Sequence, residues 1–245
     1  MKKFLLAAAA LAALPAANAT AATTVTIDSW SIGANLIGSV GVNSPAINHG
    51  GVYINQFRYQ GHYTPSGSVF DELTNCADLG HFVATGNYTV LSLSARLADV
   101  TKIAQLTRFV TNARGIVDGS SGQQKNINAA AMQLGIWEIL YETGNTSYDV
   151  NVGNFHSAYA GYGTAADFSG AQGLANTWLA NSVDGTWKQT SGTVVRYLYA
   201  PNAQSQIFLA AGVPEPAQWA LLISGFGLAG FAARRRKTRL QAVSA

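Results

Sequence analysis

Two short segments concentrate the residue types able to do chemistry. Phe70-Asp71-Glu72-Leu73-Thr74-Asn75-Cys76-Ala77-Asp78-Leu79-Gly80-His81 holds the chain's one cysteine, flanked by acids and followed by a histidine. Ala130-Ala131-Met132-Gln133-Leu134-Gly135-Ile136-Trp137-Glu138-Ile139 sets a glutamine, a tryptophan and a glutamate in an apolar run. A thiolate is a nucleophile, and His81 or Asp78 is near enough along the chain to assist a proton transfer. Other chemistries find little support. His49, His62, His81 and His156 are scattered, with no short metal-ligand spacing, so no metal site and no cofactor are expected. Glu138 and Glu142 lie one helical turn apart and read as a solvated face rather than a glycosidase pair, and Asp71-Glu72 has no better claim. There is no Gly-x-Ser-x-Gly elbow and no phosphate-binding glycine loop.

Met132, Gln133, Ile136 and Trp137 fit an apolar-Gln-x-x-apolar-Trp pattern. With Cys76 upstream, the stretch from Phe70 to Tyr141 resembles the thioester domains of bacterial surface adhesins, in which a Cys and a Gln side chain are covalently joined. The resemblance implies that the Cys76 thiolate attacks the Gln133 carboxamide carbon, that ammonia leaves, and that a stored electrophile remains. An incoming amine or hydroxyl would open it, leaving Gln133 bonded to the partner and Cys76 free. Such a reaction needs both groups held at attack distance, and shielding by Met132, Ile136 and Trp137 would keep water out. Acylation would also account for a lone cysteine in an oxidising compartment. The adhesin pattern has an aromatic directly before the Cys, where this chain has Asn75. The plain alternative is a small buried Cys76, with Gln133 and Trp137 merely sharing a helical face.

The elements that must position these groups follow from periodicity. Val25, Ile27 and Trp30 suggest a first strand, Gly33 to Gly51 reads as loops with short strand pieces, and 52–59 and 88–93 read as strands. Val194–Tyr199 and Gln206–Leu209 suggest a closing strand pair. Between them, Leu97 to Val110 recurs at helical spacing with Gly115 as its stop, Asn126 to Tyr141 does the same with Gly144, and a third helix spans about Gly170 to Asn181. Asp118 to Gly122 reads as a flexible linker, and Phe155, Tyr159 and Tyr162 as exposed aromatics that could stack on sugars or, more simply, fill a loop. The fold class expected is α+β, a mostly antiparallel β scaffold with an inserted helical segment.

The ends read as addresses. Met1-Lys2-Lys3, the apolar Phe4–Leu14 and the small residues Ala17 and Ala19 describe a leader over 1–19, removed by signal peptidase before Thr20. At the other end, Pro214-Glu215-Pro216 precedes Trp219-Ala220, an uncharged run over 217–233 and the basic stop Arg234, Arg235, Arg236 and Lys237. The run reads as a single transmembrane helix, somewhat short, with its arginines on the cytoplasmic side. The order resembles the PEP-CTERM sorting signal in its Pro-Glu-Pro-x-x-Trp-Ala variant, over 213–238. The resemblance implies recognition by an exosortase, a membrane cysteine transpeptidase, and a route through the inner membrane to the outer surface. PEP-CTERM proteins also show segments similar to Cys76-Ala77-Asp78-Leu79 and to Ala131 through Glu138.

Between those ends, 20–212 is long enough for one domain with a substantial core. It carries 8 Lys/Arg against 11 Asp/Glu, so the chain's overall +3 belongs to its termini and nucleic-acid binding is not expected. The expectation is a non-enzymatic surface or matrix protein acting in adhesion or biofilm, by covalent capture of a polysaccharide or an amine-bearing surface. A non-covalent polysaccharide-binding module and a secreted hydrolase are the alternatives.

Overall fold

A computed structural model describes residues 23–161 and 163–212, with the single position Phe226 beyond them. Leader residues Ala17 and Ala19, sorting residues Pro214, Glu215, Pro216, Trp219 and Ala220, and basic residues Arg234, Arg235, Arg236 and Lys237 lie outside the described residues. So does the span 217–233 apart from Phe226. Among the described residues no helix is long and apolar enough to cross a membrane.

The architecture is α+β. Strands β1 (Thr23–Val42), β2 (Ile47–Thr64), β3 (Val69–Cys76) and β4 (Gly86–Ser92) come first, and a 3-10 turn at Leu93–Ala95 leads into the helices. Helices α1 (Val100–Asp118) and α2 (Gly122–Tyr141) precede β5 (Phe155–Tyr159), α3 (Ala165–Val183) follows it, and β6 (Thr193–Tyr199) and β7 (Gln206–Ala211) close the fold. Every strand pairing is antiparallel. The pairings run β1-β2-β3-β7-β6-β4 and back to β1, a closed six-stranded ring that leaves few unpaired edges. The long β1 serves two partners on one edge: Thr23–Ile27 pairs with β4, and Gly38–Val42 pairs with β5.

Two apolar clusters result. Every strand of the ring contributes to the first, with Val25, Ile27, Phe57, Tyr59, Phe70, Tyr88, Leu198 and Phe208 buried together. Phe70 and Phe208 meet edge to face at 5.4 Å, as do Tyr59 and Tyr88 at 5.8 Å. The second and larger cluster fills the space between sheet and helices. α2 lies at its centre, buried without interruption from Asn128 to Ile139, because α1, α3, β1 and β2 pack around it. A helix apolar on all sides belongs in such a place. Gly135 permits the close approach of α1, since a Cβ there would run into the Phe109 ring.

Several boundaries differ from the sequence reading. α1 runs through Gly115 to Asp118, because one glycine costs a packed helix only about 1 kcal/mol. α3 starts at Ala165, where Thr164 Oγ1 accepts the Asp167 N–H at 3.0 Å and caps it. α2 ends at Tyr141, and Glu142, already extended, precedes the expected stop at Gly144. Gly33–Gly51 is strand rather than loop over most of its length, belonging to β1 and β2. Its small residues serve packing, since a Cβ on Gly38 would strike Phe168 of α3. Phe155 belongs to β5 and is fully buried, 6.2 Å from Trp137 by ring centroids, while Tyr162 lies outside the described residues.

Candidate functional site

Cys76 ends β3, and Gln133 sits midway along α2. The β2–β3 ladder stops at Gln56 opposite Asn75. One residue on, the Gln133 carboxamide occupies the place a strand would take. Its Oε1 accepts the Cys76 N–H at 2.8 Å, and its Nε2 donates to the Cys76 carbonyl oxygen at 2.7 Å. Asn75 Nδ2 is a second donor to Oε1, at 3.3 Å. Cys76, Gln133 and Asn75 are all buried, at most 2 % exposed. Asn75, the one departure from the adhesin pattern, is thus built into the site. Two donors on one carbonyl oxygen form the arrangement that stabilises an oxyanion during acyl transfer.

The thiol is buried. The Cys76 S–H donates to the Asp78 carbonyl oxygen at 3.1 Å, and burial pushes its pKa up to about 12. The Trp137 indole N–H lies beside the sulfur and favours its ionisation, yet among the described residues it has no hydrogen-bond acceptor. Gln133, Trp137 and Tyr141 succeed one another at four-residue spacing, and Tyr141 Oη accepts the Leu79 N–H at 2.8 Å. One stripe of α2 therefore holds both Cys76 and the loop after it. Of the shielding residues expected from sequence, Trp137 faces Cys76. Met132 and Ile136 are buried too, but in the core on neighbouring faces of α2, and Met132 Sδ meets Gln56 Nε2 at 3.9 Å.

A cavity of about 390 Å3 opens over the cysteine, with Cys76 and Trp137 in its wall. Trp30, His49, Tyr53, His81 and Phe82 also line it. His49 Nε2 donates to the Leu79 carbonyl oxygen at 2.7 Å, and His81 Nδ1 lies 2.6 Å from Asp78 Oδ2. Two histidines that looked unrelated in sequence thus share one pocket with the thiol. His49 carried no sequence signal, whereas Tyr141 could have been found by extending the four-residue spacing of Gln133 and Trp137. Among the described residues, no group of three or more His, Cys, Asp or Glu side chains comes together as a metal site would require.

The acids depart from the sequence reading. Glu138 is fully buried rather than solvated. Its Oε1 accepts the Asp149 N–H at 2.9 Å, its Oε2 has no partner among the described residues, and burial raises its pKa to about 8. Glu142 is half-buried and accepts the Thr143 and Asn154 N–H groups at 2.8 and 2.7 Å, so it ties the end of α2 to the approach to β5. Asp71 is held by Arg58 in a bidentate ion pair at 2.7 and 2.8 Å.

No curated protein matches the chain. Among solved structures, the fold is similar to the N-terminal thioester domain of fibronectin-binding protein SfbI from Streptococcus pyogenes, at 13 % identity and a TM-score of 0.41. That likeness covers 72 % of this chain and 94 % of that one. Residues 212–237 match the PEP-CTERM protein-sorting motif. The chain carries that motif and is an exported protein, sorted by an exosortase toward the cell surface.

Proposed function

We propose that the domain is a covalent attachment module, armed by an internal thioester between Cys76 and Gln133 and used for adhesion at the cell surface or in the biofilm matrix. The observation that carries this reading is the two-way hydrogen bonding of the buried Gln133 carboxamide to Cys76. In the forming step, Cys76 Sγ bonds to Gln133 Cδ, and the developing oxyanion is held by the Cys76 N–H and Asn75 Nδ2. The thiol proton passes to the leaving nitrogen, which departs as ammonia. Release of strain or turnover is not needed; each molecule reacts once with its target, so the domain is not an enzyme. The leader 1–19 is removed by signal peptidase, which brings the domain to the compartment where it acts.

The same hydrogen bonds would also suit a glutamine that only completes a β ladder. Intact mass separates the two. A thioester makes the purified protein lighter by one ammonia, and methylamine or Cys76→Ala abolishes that deficit. A protein of unmodified mass with a free Cys76 thiol refutes the covalent reading and leaves a non-covalent binding pocket.

A further inference from the structure

The pocket over Cys76 has a composition that selects its occupant. Trp30, Tyr53 and Phe82 line it while remaining 41 %, 51 % and 85 % exposed, an unusual gathering of bare aromatic surface at one concave place. Trp30 is steadied edge to face on Phe57 at 5.8 Å. Among the described residues no Asp, Glu, Lys or Arg lines the pocket, and the Asp78 carboxylate behind His81 is already engaged by it at 2.6 Å, so neither an ammonium nor an anionic group finds a free counter-charge there. The polar groups that do line it, Gln204, His49 and His81, suit hydroxyls. His81 Nδ1 is held by Asp78 at 2.6 Å, which orients the ring and makes Nε2 the basic nitrogen, the logic of a catalytic dyad. Asp78 also receives the Cys76 S–H on its main-chain oxygen, so base and thiol are fastened to one residue.

We infer that the thioester's acceptor is a hydroxyl of a neutral glycan seated in this pocket, with His81, oriented by Asp78, as the general base that takes the hydroxyl proton. The inference rests on the thioester reading above and names its substrate class. The glycan oxygen bonds to Gln133 Cδ as the Cδ–S bond breaks. The proton goes from the hydroxyl to His81 Nε2 and then to the Cys76 thiolate, leaving a free thiol and an ester. The buried Trp137 N–H, without an acceptor among the described residues, lies beside the departing sulfur.

The test is intact mass on the full chain incubated with maltotetraose or with methylamine. The expected result is an ester adduct of the tetrasaccharide, formed at least about 100-fold more slowly in His81→Ala, the usual scale of general-base assistance. Added imidazole should restore much of that rate, which a structural role for His81 would not permit. His81→Gln, which keeps the side chain polar, should be as slow as the alanine variant and guards against a folding defect. Methylamine serves to show that the thioester is present in each protein, since the ammonia deficit should exist in all three and be consumed by the amine. An ammonia deficit consumed by methylamine without any sugar adduct overturns this inference and leaves the thioester intact. Sugar transfer unaffected by either His81 change overturns the assigned base. No deficit at all removes both proposals together.

Discussion

The carboxamide of Gln133 and the main chain of Cys76 bond each other in both directions, N–H to Oε1 at 2.8 Å and Nε2 to carbonyl oxygen at 2.7 Å. The pair spans the join between helix and ring. It sets the buried Gln133 amide against the residue that carries the nucleophile.

Gln133→Ala should be far more damaging to stability than Cys76→Ala. It strands a buried N–H and a buried C=O, each costing about 1–3 kcal/mol, and leaves a cavity as well. Cys76→Ala preserves both main-chain groups and should cost about 1 kcal/mol. Chemical denaturation of the reduced, thioester-free proteins measures both.

Asn75→Ala removes one of two donors to the Gln133 oxygen. Thioester formation should slow about 100-fold, followed as the growth of the ammonia deficit after refolding. The unchanged Cys76 N–H should keep the reaction measurable. An equal rate in the variant would remove Asn75 from the mechanism.

Trp137→Phe keeps an aromatic ring but deletes the unpartnered indole N–H. Stability should hold or rise by about 1 kcal/mol, since a buried donor without an acceptor is a liability. Once methylamine has opened the thioester, the freed Cys76 thiol should be harder to ionise, which slower alkylation at high pH would register. A large loss of stability would mean that the N–H has a partner.

Glu138 supplies a pH dependence. Its native pKa near 8 exceeds the ordinary 4.5 because burial penalises the charged form, with Glu142 and Asp149 adding to the rise and the Asp149 N–H and Lys102 opposing it. Between those values the folded protein binds a proton that the unfolded chain lacks. Stability from this group is therefore complete below about pH 4.5 and declines as pH rises toward 8. The span is on the order of a few kcal/mol. Glu138→Gln should flatten it in urea titrations from pH 5 to 8, and an unaltered slope would place its origin elsewhere.

Much of the fold was legible locally. The β6–β7 pair lies where alternation of apolar residues placed it, and all three helices exist where 3.6-residue periodicity requires them. What misled was composition. Glycine, asparagine and serine between Gly33 and Gly51 looked like loop material, yet two long strands continue there because the ladder partners β2 and β5 and the packing of Phe168 favour an extended chain. Glu138 looked solvated because its spacing from Glu142 matches an exposed helical face, and nothing local announces that α2 is enclosed on every side.

Residue type and order alone determined the sorting motif at the C-terminus, the unusual single cysteine, and the Gln-Trp spacing that puts both side chains on one stripe of a helix. These are properties of contiguous segments, encoded within a few turns of chain. Only the tertiary structure decided that Gln133 meets Cys76 across 57 residues, that Asn75 joins them, and that His49 and His81 border the same cavity. The reason is that closing the ring of strands and burying α2 against it are long-range events, and they choose which distant side chains meet.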